Sequence, residues 1–244
     1  MEEVKNILWR EDYQRMGLNV PIHWRPAEAP HMAISGATGS GKTYFTKLLL
    51  GKIVKYVPSS QLYVCDAKGD QDFSFLDGAD RFARWDVGPM FQRFFEAFQA
   101  RQRGEDPRRN MLVLMFDEWS NYLDSLSETG KKSQFQDDEK RKLALLVRLG
   151  RSFNVHVILG QQRFDAIYTP GRENFSVAIG LGVMSKEARE MLFSGYKDEI
   201  AAHPPRQRGI GFMLTNGTNI VPISVPRVRN QEKLHRAIYT GVSQ

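Results

Sequence analysis

The sequence predicts an α/β fold, with a mainly parallel central sheet flanked by helices and a C-terminal β-hairpin. Three observations predict it. Apolar runs of strand length alternate with helix-like stretches along the chain. A glycine-rich loop, Gly36 to Thr43, joins the first of these runs to a helix. The run Met111 to Phe116 (MLVLMF) is apolar throughout, as in a strand covered on both faces, and leads directly into two acids.

In order, His31 to Ser35 reads as a strand and Lys42 to Val57 as a helix. Gln61 to Cys65 is rich in β-formers and ends at Asp66. Pro89 suits a first helical position, and apolar residues then recur at spacings of three and four through Arg103. Met111 to Phe116 is the third strand, Asp138 to Leu149 a helix with charged and Leu-rich faces, and Val155 to Leu159 a buried strand. Ser176 to Met184 is a fifth strand, followed by a short helix from Lys186 to Phe193. Gly209 to Leu214 and Ile220 to Val225, joined by a Thr-Asn-Gly-Thr-Asn turn, read as a terminal hairpin. Strands separated by helices require crossover connections, hence parallel pairing and helices on both faces. Gly104 to Asn110 and Ser127 to Gln136 read as polar loops. The expected division is an N-terminal extension over residues 1–30, a main domain over 31–226 and a basic tail or helix over 227–244.

Composition narrows the class. The chain has 244 residues, 41% hydrophobic and 25% charged, which is globular usage and excludes dominant disorder. A single cysteine, Cys65, excludes a disulfide scaffold. The longest apolar runs fall far short of the ~20 residues of a spanning helix, and the first twelve residues show no signal-peptide core. A cytoplasmic setting is the expectation. The net charge of +6 is uneven: His203 to Arg236 carries Arg206, Arg208, Arg227, Arg229, Lys233 and Arg236 against Glu232 alone. A second basic group is Arg101, Arg103, Arg108 and Arg109. Such clusters suit either phosphate contact or a solvated face.

Gly36 to Thr43 reads GATGSGKT, a full match to G-x-x-x-x-G-K-[ST]. Gly36, Gly39 and Gly41 let the backbone curl so that successive N–H groups converge on a phosphate, with Ala37, Thr38 and Ser40 between them. The following helix adds its positive end. Lys42 reaches the β and γ oxygens of ATP, and Thr43 offers a hydroxyl to Mg²⁺. Asp117 and Glu118 after the apolar run form the Walker B arrangement: Asp117 for the Mg²⁺ shell, Glu118 to polarise the attacking water. Asp117 also suits a helix N-cap. Leu149 to Arg163 (LGRSFNVHVILGQQR) supplies a third element. Gln162, just past a parallel strand, is placed to sense the γ-phosphate. Arg151, before the same strand, points away from its own nucleotide and suits an arginine finger for a neighbouring subunit. The alternative is that Arg148 and Arg151 pair with the Asp137-Asp138-Glu139 run. Five dispersed histidines suggest no zinc site. His156 and Cys65 read as structural, and Phe91, Phe94, Phe95 and Phe98 at helical spacing read as core.

Together these residues resemble a family. Pro30-His31 followed by MAISGATGSGKT is similar to the opening block of the FtsK/SpoIIIE branch of the FtsK/HerA motor ATPases. Asp66-Ala67-Lys68-Gly69 resembles its D-P-K-G, FDEW its Walker B, and Gly150 to Arg163 its block running from Gly-Arg to Gln-Arg. Glu173-Asn174-Phe175, Ser185 to Leu192 and Gly209 to Leu214 (GIGFML, against GxGDML) extend the likeness over roughly Val20 to Val225. The resemblance implies a RecA-like P-loop NTPase that drives double-stranded DNA through a ring, usually a hexamer. It implies Lys42, Thr43, Asp117 and Glu118 as the ATPase core, Gln162 as the γ-phosphate sensor and Arg151 as the interface arginine, with Arg189 near that interface. Departures are Ala67 for Pro, Asn154 for Gly and Phe212 for Asp. The chain reads as a nearly bare motor with no membrane segment, of the kind found on mobile elements and viruses, with a relaxase, portal or recruiting factor as partner. Its DNA contacts would come from Arg101, Arg103, Arg108, Arg109 and the Lys131-Lys132 loop. Two other classes remain open: a nucleotide-gated docking ATPase without processive translocation, and a small-molecule phosphotransferase.

Overall fold

A computed structural model describes residues 2–126, 132–162, 164, 165, 167–205 and 207–243. Its centre is a ten-stranded sheet: β1 (Val4–Arg10), β2 (Pro21–Trp24), β3 (Met32–Gly36), β4 (Gln61–Asp66), β5 (Phe82–Arg84), β6 (Leu112–Asp117), β7 (Val155–Gln161), β8 (Val177–Leu181), β9 (Ile210–Thr215) and β10 (Asn219–Ser224). The spatial order is β2-β1-β10-β9-β8-β3-β7-β6-β4-β5. From β8 to β5 the pairing is parallel, and from β8 to β2 it is antiparallel.

The parallel half follows from residues that alternate between two apolar layers. On β6, Val113 and Met115 join one core cluster while Leu112, Leu114 and Phe116 join the other. On β4, Leu62 and Val64 face the first and Tyr63 and Cys65 the second. Helices α2 (Lys42–Tyr56) and α8 (Gln231–Ser243) cover the first layer, and α3 (Gly88–Gln102) and α5 (Lys132–Leu149) the second. The four phenylalanines of α3 are buried, as their spacing requires. α2 and α8 meet closely because Gly51 has no side chain: a Cβ there would lie 2.1 Å from Leu234 Cδ1. The remaining helices are α1 (Glu11–Arg15), α4 (Trp119–Ser125), α6 (Lys186–Leu192) and α7 (Lys197–Ala202).

The antiparallel half departs from the sequence reading. The expected hairpin β9–β10 forms and continues the sheet, because β9 pairs with β8. The first 24 residues contribute β1 and β2, unforeseen in the sequence, and β1 pairs with β10. Trp24 is buried there and its indole N–H donates to the Ala29 carbonyl at 2.7 Å. β5 is a three-residue edge strand, too short for its pattern to register. α5 begins at Lys132, inside the stretch expected to be a polar loop; residues 127–131 of that stretch lie outside the described residues. Among the described residues no helix is long and apolar enough to cross a membrane.

Candidate nucleotide site

β3 ends in the glycine-rich loop and α2 begins at its last residues. Gly39 and Gly41 have φ of +80° and +103°, in the left-handed region that side chains with a Cβ rarely adopt. Gly36 is needed for a different reason: a Cβ there would lie 2.3 Å from Ser40 Oγ. The loop opens on a cavity of about 330 Å³ lined by Gly36, Ala37, Thr38, Gly39, Gly41, Lys42 and Thr43. Ser40 faces away from it, buried, with its main-chain carbonyl accepting the Gly209 N–H at 2.8 Å.

Asp117 ends β6 and Glu118 follows it, and both line the same cavity. Glu118 has φ +56°, a strained conformation for a residue with a side chain, and is fixed by its N–H donating to the Gly160 carbonyl at 2.6 Å. Lys42 Nζ donates to Glu118 Oε1 and lies 3.5 Å from Asp117 Oδ1. All three side chains are buried. Burial pushes the Asp117 carboxyl up to about 7; the Lys42 charge opposes that rise and the Glu118 charge adds to it. On β4, Asp66 pairs in register with Asp117, and burial likewise holds its carboxyl above the usual range.

The donor set suits Mg²⁺. Asp117 Oδ1 is buried and has no hydrogen-bond partner among the described residues. Thr43 supplies a hydroxyl in the same cavity. The described residues hold no group of three or more His, Cys, Asp or Glu able to cage a metal. One carboxylate and one hydroxyl, completed by phosphate oxygens and water, is how Mg²⁺ is commonly held.

Gln162 lines the cavity at the carboxyl end of β7, its carbonyl accepting from Ser35 Oγ at 2.9 Å. Arg151 sits exposed in a 3-10 turn before β7, at the strand's opposite end. A seven-residue strand separates Gln162 from Arg151 by about 20 Å. The acidic run of α5 does not hold Arg148 or Arg151: Asp137, Asp138 and Glu139 pair with Lys140, Arg141 and Lys142 on their own helix.

A family model described as the central domain of helicase HerA matches residues 13–87. The FtsK-domain protein YdcQ of Bacillus subtilis (strain 168) is 30% identical over 193 residues, 70% of this chain and 38% of that protein. The ESX secretion system protein EccC of Thermomonospora curvata is 26% identical over 235 residues, 76% of this chain and 17% of that protein. Among solved structures, a monomer form of the pCW3 conjugation coupling protein TcpA with ATPγS superposes with a TM-score of 0.75 at 18% identity, covering 91% of this chain and 67% of that one. The chain fits the FtsK/HerA superfamily. It spans 38% and 17% of the two curated relatives' lengths.

Two departures from the FtsK/HerA pattern, Asn154 and Phe212, have physical reasons. Asn154 stands in the left-handed region, φ +56°, which Asn tolerates better than most residues after Gly. Its amide nitrogen donates to the Arg109 carbonyl at 2.8 Å, and its oxygen lies 2.8 Å from His156 Nε2. Phe212 is buried with Met184, Phe193 and Ile200, where the family's aspartate would be left without water. Arg189 donates to the Met184 carbonyl at 2.7 Å, just before α6.

One expectation is overturned. Arg101 is no surface cation: its guanidinium is buried and donates to the carbonyls of Asn110 and Phe153, each at 2.8 Å, and to Asn110 Oδ1 at 2.7 Å. Its neighbours are largely balanced too, Arg103 by Glu105 and Arg108 by Asp106. Lys131, Arg163 and Arg206 lie outside the described residues, as does the Lys132 side chain. Sequence reasoning missed Tyr44, Lys47, Lys68, Asp72, Arg208 and Gln231, which also line the cavity. Lys68 was within the quoted D-A-K-G, and Tyr44 and Lys47 follow the loop on the first turns of α2; Asp72, Arg208 and Gln231 come from distant segments that folding brings beside the loop.

Proposed function

We propose that this chain is an ATP-driven double-stranded DNA translocase, working as an oligomeric ring, with a hexamer as the expected form and the cytoplasm as its setting. The observation that carries the reading is the split of the site. Lys42, Thr43, Asp117, Glu118 and Gln162 share one cavity, while Arg151 stands at the far end of β7. A neighbouring copy supplying Arg151 would complete the charge around the transferred phosphoryl group.

The chemistry follows from positions. The loop N–H groups and Lys42 hold the phosphates, and Gln162 contacts the γ-phosphate. Glu118 takes a proton from the attacking water. To do so it must give up Lys42, which turns toward phosphate as ATP enters. Thr43 and Asp117 would hold Mg²⁺, which when bound draws charge off the phosphate oxygens. Hydrolysis by water, rather than transfer to a small acceptor, is favoured by a buried carboxylate beside the phosphate loop. A relaxase, portal or other recruiting factor would deliver the DNA.

The test is ATPase activity with and without duplex DNA at increasing salt. Stimulation by duplex, falling as salt rises, supports the reading. Glu118→Gln should keep ATP and DNA binding while turnover falls by about 10²–10⁴-fold. Unchanged turnover with any nucleic acid removes the DNA part. Biological activity that survives Glu118→Gln favours the docking ATPase instead.

A further inference from the structure

We infer that Arg208 is a phosphate-binding residue of the nucleotide cavity, gripping the diphosphate from across Gly41. This rests on the ATPase reading and adds a residue that neither the motif nor the family resemblance names.

Arg208 lies in the segment between α7 and β9 and lines the same cavity as Lys42 and Thr43. Its position is fixed by backbone bonds of the two residues that follow it. The Gly209 N–H donates to the Ser40 carbonyl at 2.8 Å, and the Gly209 carbonyl accepts from Val225 N–H at 2.8 Å. The Ile210 carbonyl accepts from Gly182 N–H, also at 2.8 Å. Two glycines make the approach possible. A Cβ on Gly41 would sit 3.3 Å from Gly209 N and 3.6 Å from Arg208 Cγ, and Gly209 itself has φ +77°. The stem of Arg208 therefore crosses the phosphate loop at the residue before Lys42.

Charge singles out Arg208 further. Among the described residues four cations line the cavity: Lys42, Lys47, Lys68 and Arg208. Lys42 is held by Glu118 and Asp117, Lys47 by Asp72 at 3.0 Å, and Lys68 by Asp70 at 2.8 Å. Among the described residues Arg208 has neither an ion pair nor a side-chain hydrogen bond. An arginine left without a carboxylate at the rim of a phosphate cradle is disposed to meet phosphate oxygens with its fork of donors. Because its segment leads straight into β9, phosphate contact there would also tie the nucleotide to the antiparallel half of the sheet.

The experiment measures binding of ADP, inorganic pyrophosphate and adenosine to the full chain and to Arg208→Ala and Arg208→Lys. Arg208→Ala should weaken ADP and pyrophosphate by about tenfold or more while leaving adenosine within twofold, and Arg208→Lys should fall between. Unchanged ADP affinity in Arg208→Ala overturns the inference. So does an equal loss for adenosine, which would mean that the segment had merely shifted. A wild-type chain that binds none of the three overturns the ATPase reading as well; wild-type binding with an unaffected variant overturns this inference alone.

Discussion

Gly160→Ala offers a sharp test of how the acid pair is positioned. Gly160 lies on β7 beside the end of β6, in register with Asp117. A Cβ there would come 2.7 Å from Asp117 Oδ1 and 3.1 Å from Met115 Cε. The methionine end can swing aside, but the carboxylate must retreat by about 0.7 Å to reach ordinary contact. Gly160 is not among the residues of positive φ, so the backbone accepts alanine, and alanine in a strand is intrinsically favoured by about 0.5–1 kcal/mol. Fold stability should therefore change little. Catalysis should not be spared, since a displacement approaching 1 Å costs up to about 10²-fold. The expected outcome is a fall in ATP turnover of roughly 10–100-fold, or about 1.4–2.7 kcal/mol of barrier, with more Mg²⁺ needed for half-maximal rate. The assay is steady-state ATPase over a Mg²⁺ series, beside thermal melting. Gly195→Ala, whose Cβ would meet nothing within 4 Å, is the control. Turnover within twofold of wild type at ordinary Mg²⁺ would refute the reasoning.

Other consequences can be measured independently. Arg101→Ala leaves two main-chain carbonyls and a side-chain oxygen buried without their donor; it should cost about 3–5 kcal/mol in denaturant unfolding, and Arg101→Lys should not restore it because the planar fork is lost. His31 and His156 are buried, and burial lowers them to about 3 and about 4. The unfolded chain therefore takes up protons below about pH 6.5 that these histidines refuse in the fold, while Asp117, raised to about 7, takes up a proton in the fold over the same range and offsets part of the loss; in Asp117→Asn, where that offset is gone, stability should drop by about 2–3 kcal/mol between pH 7.5 and 5.5, and equal unfolding midpoints at the two pH values would contradict this. If Arg151 acts across subunits, Arg151→Ala and Lys42→Ala should each be inactive alone, and mixing them should restore ATPase activity. No recovery on mixing would place Arg151 outside the neighbour's site.

Much of this protein was legible before folding. Local chemistry dictates the phosphate loop, since only glycine reaches the φ of Gly39 and Gly41 without strain, and Lys42 and Thr43 follow within the same few residues. The central parallel strands declared themselves because burial on both faces demands continuous apolar runs, as in Met111 to Phe116. The phenylalanine ladder of α3 showed its core role through spacing alone. What sequence could not reveal depends on contacts between distant segments. β1 carries charges and an asparagine among its apolar residues, and becomes a strand by pairing with β2 on one side and with β10, more than 200 positions away, on the other. Arg101 looked like one more surface cation until the carbonyls of Asn110 and Phe153 enclosed it. Arg208 stands in a basic stretch with no local mark, and only the bond from Gly209 to Ser40 sets it against the phosphate loop. Spacing along the chain fixes what a short segment prefers, whereas the partner of a charge is chosen by tertiary packing.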